Sequence, residues 1–139
     1  MRQTDWYFRV PKGRLKLRVL GADRDGQLIV YSRPDKRVPR TSDFQWMPVA
    51  DAAGTRRLLT KMFGLRVCVR KRREVWLHKN ARIHLDAVDG LGRFLEIEVI
   101  VSKGPRQARE LMKTLTAALD IQPAGLLAGS YSDMLARRR

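Results

Sequence analysis

Charged residues alternate with apolar ones along two short segments that are separated by a glycine-containing turn. Side chains on a strand alternate between faces, so Arg82, His84 and Asp86 share one face, and Glu96 and Glu98 share a face of the next strand. Two carboxylates on one arm of a hairpin, opposite a cation, indicate a site for a divalent metal and phosphate. The alternative interpretation is an amphipathic hairpin whose polar face is only solvated.

Cations occupy alternating positions on several other predicted strands. The segment Arg14 to Leu20 alternates basic and apolar residues, and Leu65 to His78 is long, β-branched and basic. In all, six cations lie at alternating positions on four predicted strands: Lys16, Arg18, Arg33, Lys71, Arg73 and Arg82. If the sheet closes, these side chains converge on an interior that needs an anion or paired carboxylates to be stable. The alternative is an open basic sheet with exposed faces.

A triphosphate is an anion that suits such an interior, because arginine binds phosphate through charge-assisted and bidentate hydrogen bonds. Glu96, Glu98 and Asp86 would then hold Mg²⁺ or Mn²⁺ next to the phosphates. The composition agrees with an anionic partner, since 29 Lys and Arg face 14 Asp and Glu and give a net charge of +15. Nucleic acid and other polyanions remain open as partners on charge alone.

The length and composition predict one domain over residues 1–139. No apolar run of transmembrane length and no leader segment are present, so we expect a cytoplasmic protein without a membrane partner. The single cysteine cannot form an internal disulfide, and two histidines are too few for a convincing zinc site.

The order of elements is strands, a helix, more strands and a second helix, which predicts an α+β protein on an antiparallel sheet. The first helix is expected to begin after Asp51 and end at Gly64, with Leu58, Leu59 and Met62 on one face. The second helix opens at Pro105. Its apolar stripe is expected to be core and comprises Ala108, Leu111, Met112, Leu115 and Leu119. A capping box at Ser130 to Asp133 predicts a short terminal helical turn.

Several of these segments together resemble the CYTH superfamily, the triphosphate tunnel enzymes, and especially its class IV adenylyl cyclase branch. Besides the segments around Asp86 and Glu96, the matching pieces run in family order: Gln3 to Phe8, Gly13 to Arg18, Tyr31 to Asp35, Val69 to Arg73, and Ser130 to Asp133. Each piece alone is weak, but the series covers nearly the whole chain.

The resemblance implies an antiparallel β-barrel with flanking helices, whose tunnel binds a triphosphate such as ATP or tripolyphosphate. It implies that the six cations are phosphate ligands and that Glu96 and Glu98, assisted by Asp86, bind the metal. In the cyclase branch, the implied reaction converts ATP to cyclic AMP and pyrophosphate. In the hydrolase branches, water attacks the terminal phosphate of an organic or inorganic triphosphate.

The chain departs from the family pattern at its start. Family members begin with a strand bearing Glu-x-Glu-x-Lys, and this sequence has none, so either Met1 is a late start in a longer gene or the protein is a shortened variant. The loss of two carboxylates predicts that anion binding survives better than catalysis. The missing strand would also leave open sheet edges, which predicts a homodimer. The alternative function is a non-catalytic polyphosphate- or RNA-binding protein.

Overall fold

The computed structural model describes residues 1–22, 24–32, 43–102, 104–127 and 129–138. The strands in chain order are β1 (Arg2–Phe8), β2 (Arg14–Leu20), β3 (Gly26–Ser32), β4 (Asp43–Val49), β5 (Leu65–His78), β6 (Ala81–Val88) and β7 (Gly92–Val99). The α-helices are α1 (Ala52–Phe63), α2 (Pro105–Ala118) and α3 (Tyr131–Ala136), and a short 3₁₀ turn spans Pro123–Gly125. No helix in the described part of the chain is long and apolar enough to cross a membrane.

The seven described strands form one antiparallel sheet in the order β4-β3-β2-β1-β5-β6-β7. This confirms the predicted α+β class, with an antiparallel sheet and flanking helices. Among the described strands, the sheet is open, with β4 and β7 at its edges. Strand β5 pairs with β6 in an antiparallel hairpin, whose turn places Lys79 at φ 53°.

The two faces of the sheet carry different side chains. One face, here called the polar face, presents polar and charged residues from five strands. They are Gln3, Asp5 and Tyr7; Lys16 and Arg18; Lys71 and Arg73; Arg82, His84 and Asp86; Glu96 and Glu98. The opposite face, here called the outer face, carries apolar residues of β1 and β2 under α1 and exposed residues further along β5. Helix α3 packs on the polar side, where Tyr131 and Leu135 pack against a buried cluster of Tyr7, Val67, Val69 and Val88.

The predicted helix ends are confirmed, but the helix faces are less buried than the sequence predicts. Asp51 accepts a hydrogen bond from the Gly54 amide at 2.8 Å, and Gly64 ends α1 with a φ of 76°. Leu59 packs against the core, whereas Leu58 and Met62 are exposed. Leu115 of α2 is buried, but Leu119, the C-cap residue of that helix, is 41% exposed, so the expectation that the whole stripe is core is wrong at Leu119. The reason is that α2 packs on the edge strand β7, which covers little of the helix.

Candidate functional site

Asp5 lies at the centre of one half of the polar face and is only 2% exposed. Its carboxylate accepts hydrogen bonds from Lys16 Nζ at 2.9 Å and from Nε and Nη2 of Arg18, each at 2.9 Å. Gln3 Nε2 adds a longer contact at 3.2 Å. Register explains this grouping, because Asp5 lies directly opposite Arg18 on β2 and beside the position of Lys16. Asp5 is thus the shared counter-ion of two cations.

Asp86 forms the matching group on the other side of β1. Both of its oxygens accept from Arg73, with Nε at 2.7 Å and Nη2 at 2.6 Å, and Lys71 Nζ lies 3.1 Å from Oδ2. The Tyr131 hydroxyl, which belongs to α3, donates to the same Oδ2 at 3.0 Å. Asp86 is 2% exposed and lies opposite Arg73 in the β5–β6 register. The buried carboxylate is therefore enclosed by two cations and a phenol.

Glu96 and Glu98 lie at the rim of this second group, on the edge strand β7. Arg73 Nη2 also donates to Glu96 Oε2 at 2.7 Å, and Nδ1 of His84 lies 3.5 Å from the same oxygen. Glu98 Oε2 is 3.6 Å from Arg82 Nη1, and the Arg82 side chain is 50% exposed. Both glutamate side chains are 42% exposed. Among the described residues of the polar face, these two carboxylates are accessible to solvent, whereas Asp5 and Asp86 are buried.

Asp133, the third residue of helix α3, connects the helix to the edge of the polar face. Asp133 accepts from Arg14 Nη2 at 2.7 Å and from Arg66 Nη2 at 2.9 Å. The predicted capping box is confirmed, because the Ser130 amide donates to Asp133 and the Asp133 amide donates to the Ser130 hydroxyl. Burial alone would raise the pKa of Asp133, but Ser130 and the two arginines lower it to about 2. A cavity of about 340 Å³ opens beside Arg14 and Arg66.

The lysines of the polar face are buried and electrostatically coupled. Burial lowers the pKa of Lys16 to about 8, and attraction to Asp5 offsets only part of that effect. Burial and the charge of Arg73 lower the pKa of Lys71. Lys71 is also close enough to contribute to lowering the pKa of Lys16, although the two residues belong to different strands. The cations of β2 and β5 therefore share one electrostatic environment.

The pKa values of the buried aspartates are lowered as well, which for a carboxyl group favours the charged form. Burial alone would raise the pKa of Asp5, but Lys16 and Arg18 hold it well below its ordinary value. For Asp86, the hydrogen bonds and charges of Arg73 and Lys71 likewise outweigh burial and lower the pKa. Two tyrosine rings make cation–π contacts with Lys16, whose Nζ lies 5.5 Å from the ring centroids of Tyr7 and Tyr31. Both aspartates are charged at neutral pH.

The sequence-predicted site residues divide by position. Lys16, Arg18, Lys71, Arg73 and Asp86 lie together in the buried part of the polar face. Arg82, Glu96 and Glu98 lie at its β6–β7 rim. Arg33 lies outside the described residues. The sequence did not predict Asp5, Tyr131 and Asp133 as members of the site. For Asp5 a sequence pattern was available, because it is the acid in the alternating series Gln3, Asp5, Tyr7 on one face of a strand.

The predicted metal ligands do not form a three-carboxylate cluster. Among the described residues, no group of three or more His, Cys, Asp or Glu side chains is arranged to hold a metal ion. Asp86 does not fit a metal ligand, since its two oxygens are occupied by Lys71, Arg73 and Tyr131. Glu96 and Glu98 fit better, because each is partly exposed and they share a face of β7. Two carboxylates suit a Mg²⁺ ion that takes its other ligands from water and substrate phosphates.

Comparison with solved structures identifies the class of fold. The PH1012 protein of Pyrococcus horikoshii OT3 is similar with a TM-score of 0.85 and 24% identity, over 95% of this chain and 80% of that one. The PH1819 protein of the same organism has a TM-score of 0.73 and 22% identity, over 99% and 85%. A "putative adenylate cyclase" from Vibrio parahaemolyticus has a TM-score of 0.74 and 19% identity, over 97% and 80%. These similarities show a shared fold.

A family model decides the assignment within that class. The CYTH domain model matches residues 1–130, which is most of the chain. The protein therefore belongs to the CYTH family, as the motif series predicts. This family binds triphosphates and generally uses a divalent metal ion. Comparison with curated proteins finds no match.

Proposed function

We propose that the polar face binds the phosphates of a nucleoside or inorganic triphosphate, such as ATP or tripolyphosphate. The observation that carries the proposal is the placement of four cations, Lys16, Arg18, Lys71 and Arg73, around two buried carboxylates. Each carboxylate is held by an arginine in a bidentate contact, and a phosphate offers that arginine the same geometry. Arg33 and Arg82 are proposed as further phosphate ligands.

Binding would involve an exchange of partners. The cations are already paired with Asp5 and Asp86, so an incoming phosphate must share or replace these carboxylates. The lysines favour this exchange, because a triphosphate beside Lys16 would offset the desolvation that lowers its pKa to about 8. Asp86 is proposed to position Lys71 and Arg73 and so to assist the metal site indirectly.

A divalent ion, Mg²⁺ or Mn²⁺, is proposed to be held by Glu96 and Glu98 together with substrate phosphates. When bound, it would neutralise charge on the phosphates during group transfer. Arg73 donates hydrogen bonds to both Asp86 and Glu96, so it would connect the phosphate-binding and metal-binding parts of the site. His84 is near Glu96 and would help to orient it.

Two reactions suit such a site. In the class IV adenylyl cyclase type, the ribose 3′ oxygen of ATP bonds to the α-phosphorus, the bond to the bridging oxygen breaks, and pyrophosphate leaves while the 3′ hydroxyl proton is released. In the triphosphatase type, a water oxygen bonds to the terminal phosphorus, and a diphosphate leaves as the water loses a proton. Both reactions would use the same cations to stabilise the leaving phosphates.

The test is direct binding measured by calorimetry, with tripolyphosphate and with ATP, each with and without Mg²⁺. We expect both ligands to bind the unmodified chain, and Arg73→Lys to weaken binding because it keeps the charge but loses the bidentate contact. Arg109→Lys on the exposed side of α2 is the matched control and should bind as the unmodified chain does. If neither ligand binds the unmodified chain, the proposal is wrong.

A second candidate is non-catalytic binding of polyphosphate or RNA. It is favoured by one observation: within the described residues, the carboxylates of the polar face are all paired with cations and form no three-acid group. Incubation with ATP or tripolyphosphate and Mg²⁺ or Mn²⁺, followed by chromatographic separation of products, distinguishes the two. Cyclic AMP or released phosphate supports the enzyme, whereas tight binding without turnover supports the binder.

A homodimer is proposed from the open sheet edges at β4 and β7. Edge strands present unpaired backbone groups, and a second copy of the chain would supply partners for them. Light scattering measures the mass in solution, and a strictly monomeric mass would contradict the homodimer.

A further inference from the structure

A row of arginines crosses the outer face of the sheet, on the side away from the polar face. Arg2 on β1 lies directly opposite Arg72 on β5, Arg72 lies opposite Ala87 on β6, and Ala87 lies opposite Arg93 on β7. Residues opposite one another in an antiparallel pair present their side chains on the same face. The three guanidinium groups thus form a line across four neighbouring strands, which spans about 14 Å at the usual strand spacing.

This row is exposed, and the acid on the same face of β5 is Glu74, two residues after Arg72. Arg2, Arg72 and Arg93 are all exposed, and so is Arg70, which lies two residues before Arg72 on the same face of β5. Within the described parts of the chain, none of the four forms an ion pair. On the polar face, by contrast, the cations form ion pairs with buried aspartates.

The arrangement is unfavourable for the isolated fold. Like charges directly opposite on neighbouring strands destabilise a sheet, and Arg2 faces Arg72 in this way. Both side chains are exposed, so burial contributes little to offset this repulsion. An anion that lies along the row would relieve this repulsion, and the line geometry suits an extended polyanion better than a compact triphosphate.

Tryptophan flanks the row on the same face. Trp76 lies four residues after Arg72 on β5 and is 60% exposed, with its indole nitrogen donating to Glu74 at 2.9 Å. On the other side of the row, Arg56 of α1 lies 5.3 Å from the centroid of the Trp6 ring of β1. A cationic track beside an exposed aromatic ring is the combination that single-stranded nucleic acids use, with phosphates on the cations and a base stacked on the ring.

We propose that the outer face binds single-stranded nucleic acid, with its phosphate backbone along Arg2, Arg70, Arg72 and Arg93 and a base on Trp76. This site is separate from the polar face and does not depend on the triphosphate proposal. The two surfaces lie on opposite sides of one sheet, so both ligands can bind the same molecule at once.

The experiment measures fluorescence anisotropy of a labelled single-stranded oligonucleotide of roughly 15 nucleotides, over a range of KCl concentrations. The test variant is Arg70→Gln with Arg72→Gln. The control is Arg109→Gln with Lys113→Gln on α2, which removes the same charge from exposed positions. We expect the test variant to bind more weakly, with a slope of log affinity against log salt smaller by about 1.4, or two single-strand phosphate contacts. The control should keep the slope of the unmodified chain.

Two further measurements locate the binding. Trp76→Ala should weaken oligonucleotide binding without changing the salt slope, because stacking releases no counter-ions. Saturating tripolyphosphate should leave oligonucleotide binding to the outer face in place. Arg93→Gln is a second single variant, and circular dichroism of all variants checks that they are folded.

Several outcomes would overturn the proposal. One is an equal loss of slope in the test and control variants, which would mean binding to net charge alone. Another is stoichiometric displacement of the oligonucleotide by tripolyphosphate, which would place it on the polar face. A third is that inorganic polyphosphate binds and requires Arg70 and Arg72, whereas the oligonucleotide does not bind. Absence of oligonucleotide binding by the unmodified chain would also refute it.

Discussion

Substitution of Asp5 by Asn tests whether this residue is the internal counter-ion of the polar face. The carboxylate is 2% exposed and accepts hydrogen bonds from Lys16 and, twice, from Arg18. Asn removes the charge and turns one acceptor oxygen into an amide that faces cationic donors. Removing one partner of a buried ion pair costs about 3–5 kcal/mol. Against a total stability of about 5–15 kcal/mol, the variant should fold but melt roughly 10–20 °C lower.

The same substitution should have the opposite effect on anion binding. In the unmodified chain a phosphate must compete with Asp5 for Lys16 and Arg18, whereas in Asp5→Asn these cations have no charged partner on β1. A ligand at one hundred times its dissociation constant stabilises a protein by about 2.7 kcal/mol, and each tenfold gain in affinity adds about 1.4 kcal/mol. Tripolyphosphate should therefore raise the melting temperature of the variant by more than that of the unmodified chain.

The assay is thermal unfolding followed by circular dichroism, with and without tripolyphosphate. Asp89→Asn is the matched control, because it is the same chemical change at an exposed residue, and it should melt close to the unmodified chain. The reasoning is refuted if Asp5→Asn melts like this control. It is also refuted if tripolyphosphate stabilises Asp5→Asn less than it stabilises the unmodified chain.

Further predictions concern pH and the α3 cap. Triphosphate affinity should fall as the pH rises above about 8, because Lys16 has a pKa of about 8 in the free site and phosphate binds its charged form; calorimetry across pH 7–10 checks this. Stability should fall as the pH drops below about 4, since Asp5 and Asp86 have lowered pKa values in the folded state and their contribution is lost on protonation; acid titration by circular dichroism measures it. Ser130→Ala should reduce the free energy of unfolding, measured with urea, by about 1 kcal/mol, because the Asp133 amide loses its hydrogen bond to the Ser130 hydroxyl. Ser130→Thr should retain that hydrogen bond and the stability.

The parts of the fold that follow from local rules could be predicted from the sequence. Alternation of charged and apolar residues places Lys71 with Arg73, and Glu96 with Glu98, on shared faces. Asp51 and Gly64 mark the ends of α1 because capping depends on neighbours within one turn. These features need no knowledge of distant chain segments.

The pairing within the site could not be predicted in the same way. Asp133 binds Arg14 across 119 residues of sequence, and Tyr131 binds Asp86 across 45. Such contacts depend on where α3 packs, and neither periodicity nor capping specifies that. Asp86 illustrates the consequence, because its type and position suggested a metal ligand. Its geometry instead makes it the partner of Lys71 and Arg73.

The cations of the described sheet lie on two surfaces that differ in burial and in pairing with acids. On the polar face, Asp5 and Asp86 hold cations in fixed positions, and these cations gain an anion only by exchanging a carboxylate for it. On the outer face, Arg2, Arg72 and Arg93 stand in a row without such partners among the described residues. Preorganised, desolvated cations favour a small ligand of defined shape, whereas exposed cations favour a long polyanion whose binding depends steeply on salt. Salt dependence therefore separates the two sites, and a triphosphate bound on the polar face should show the weaker dependence of the two.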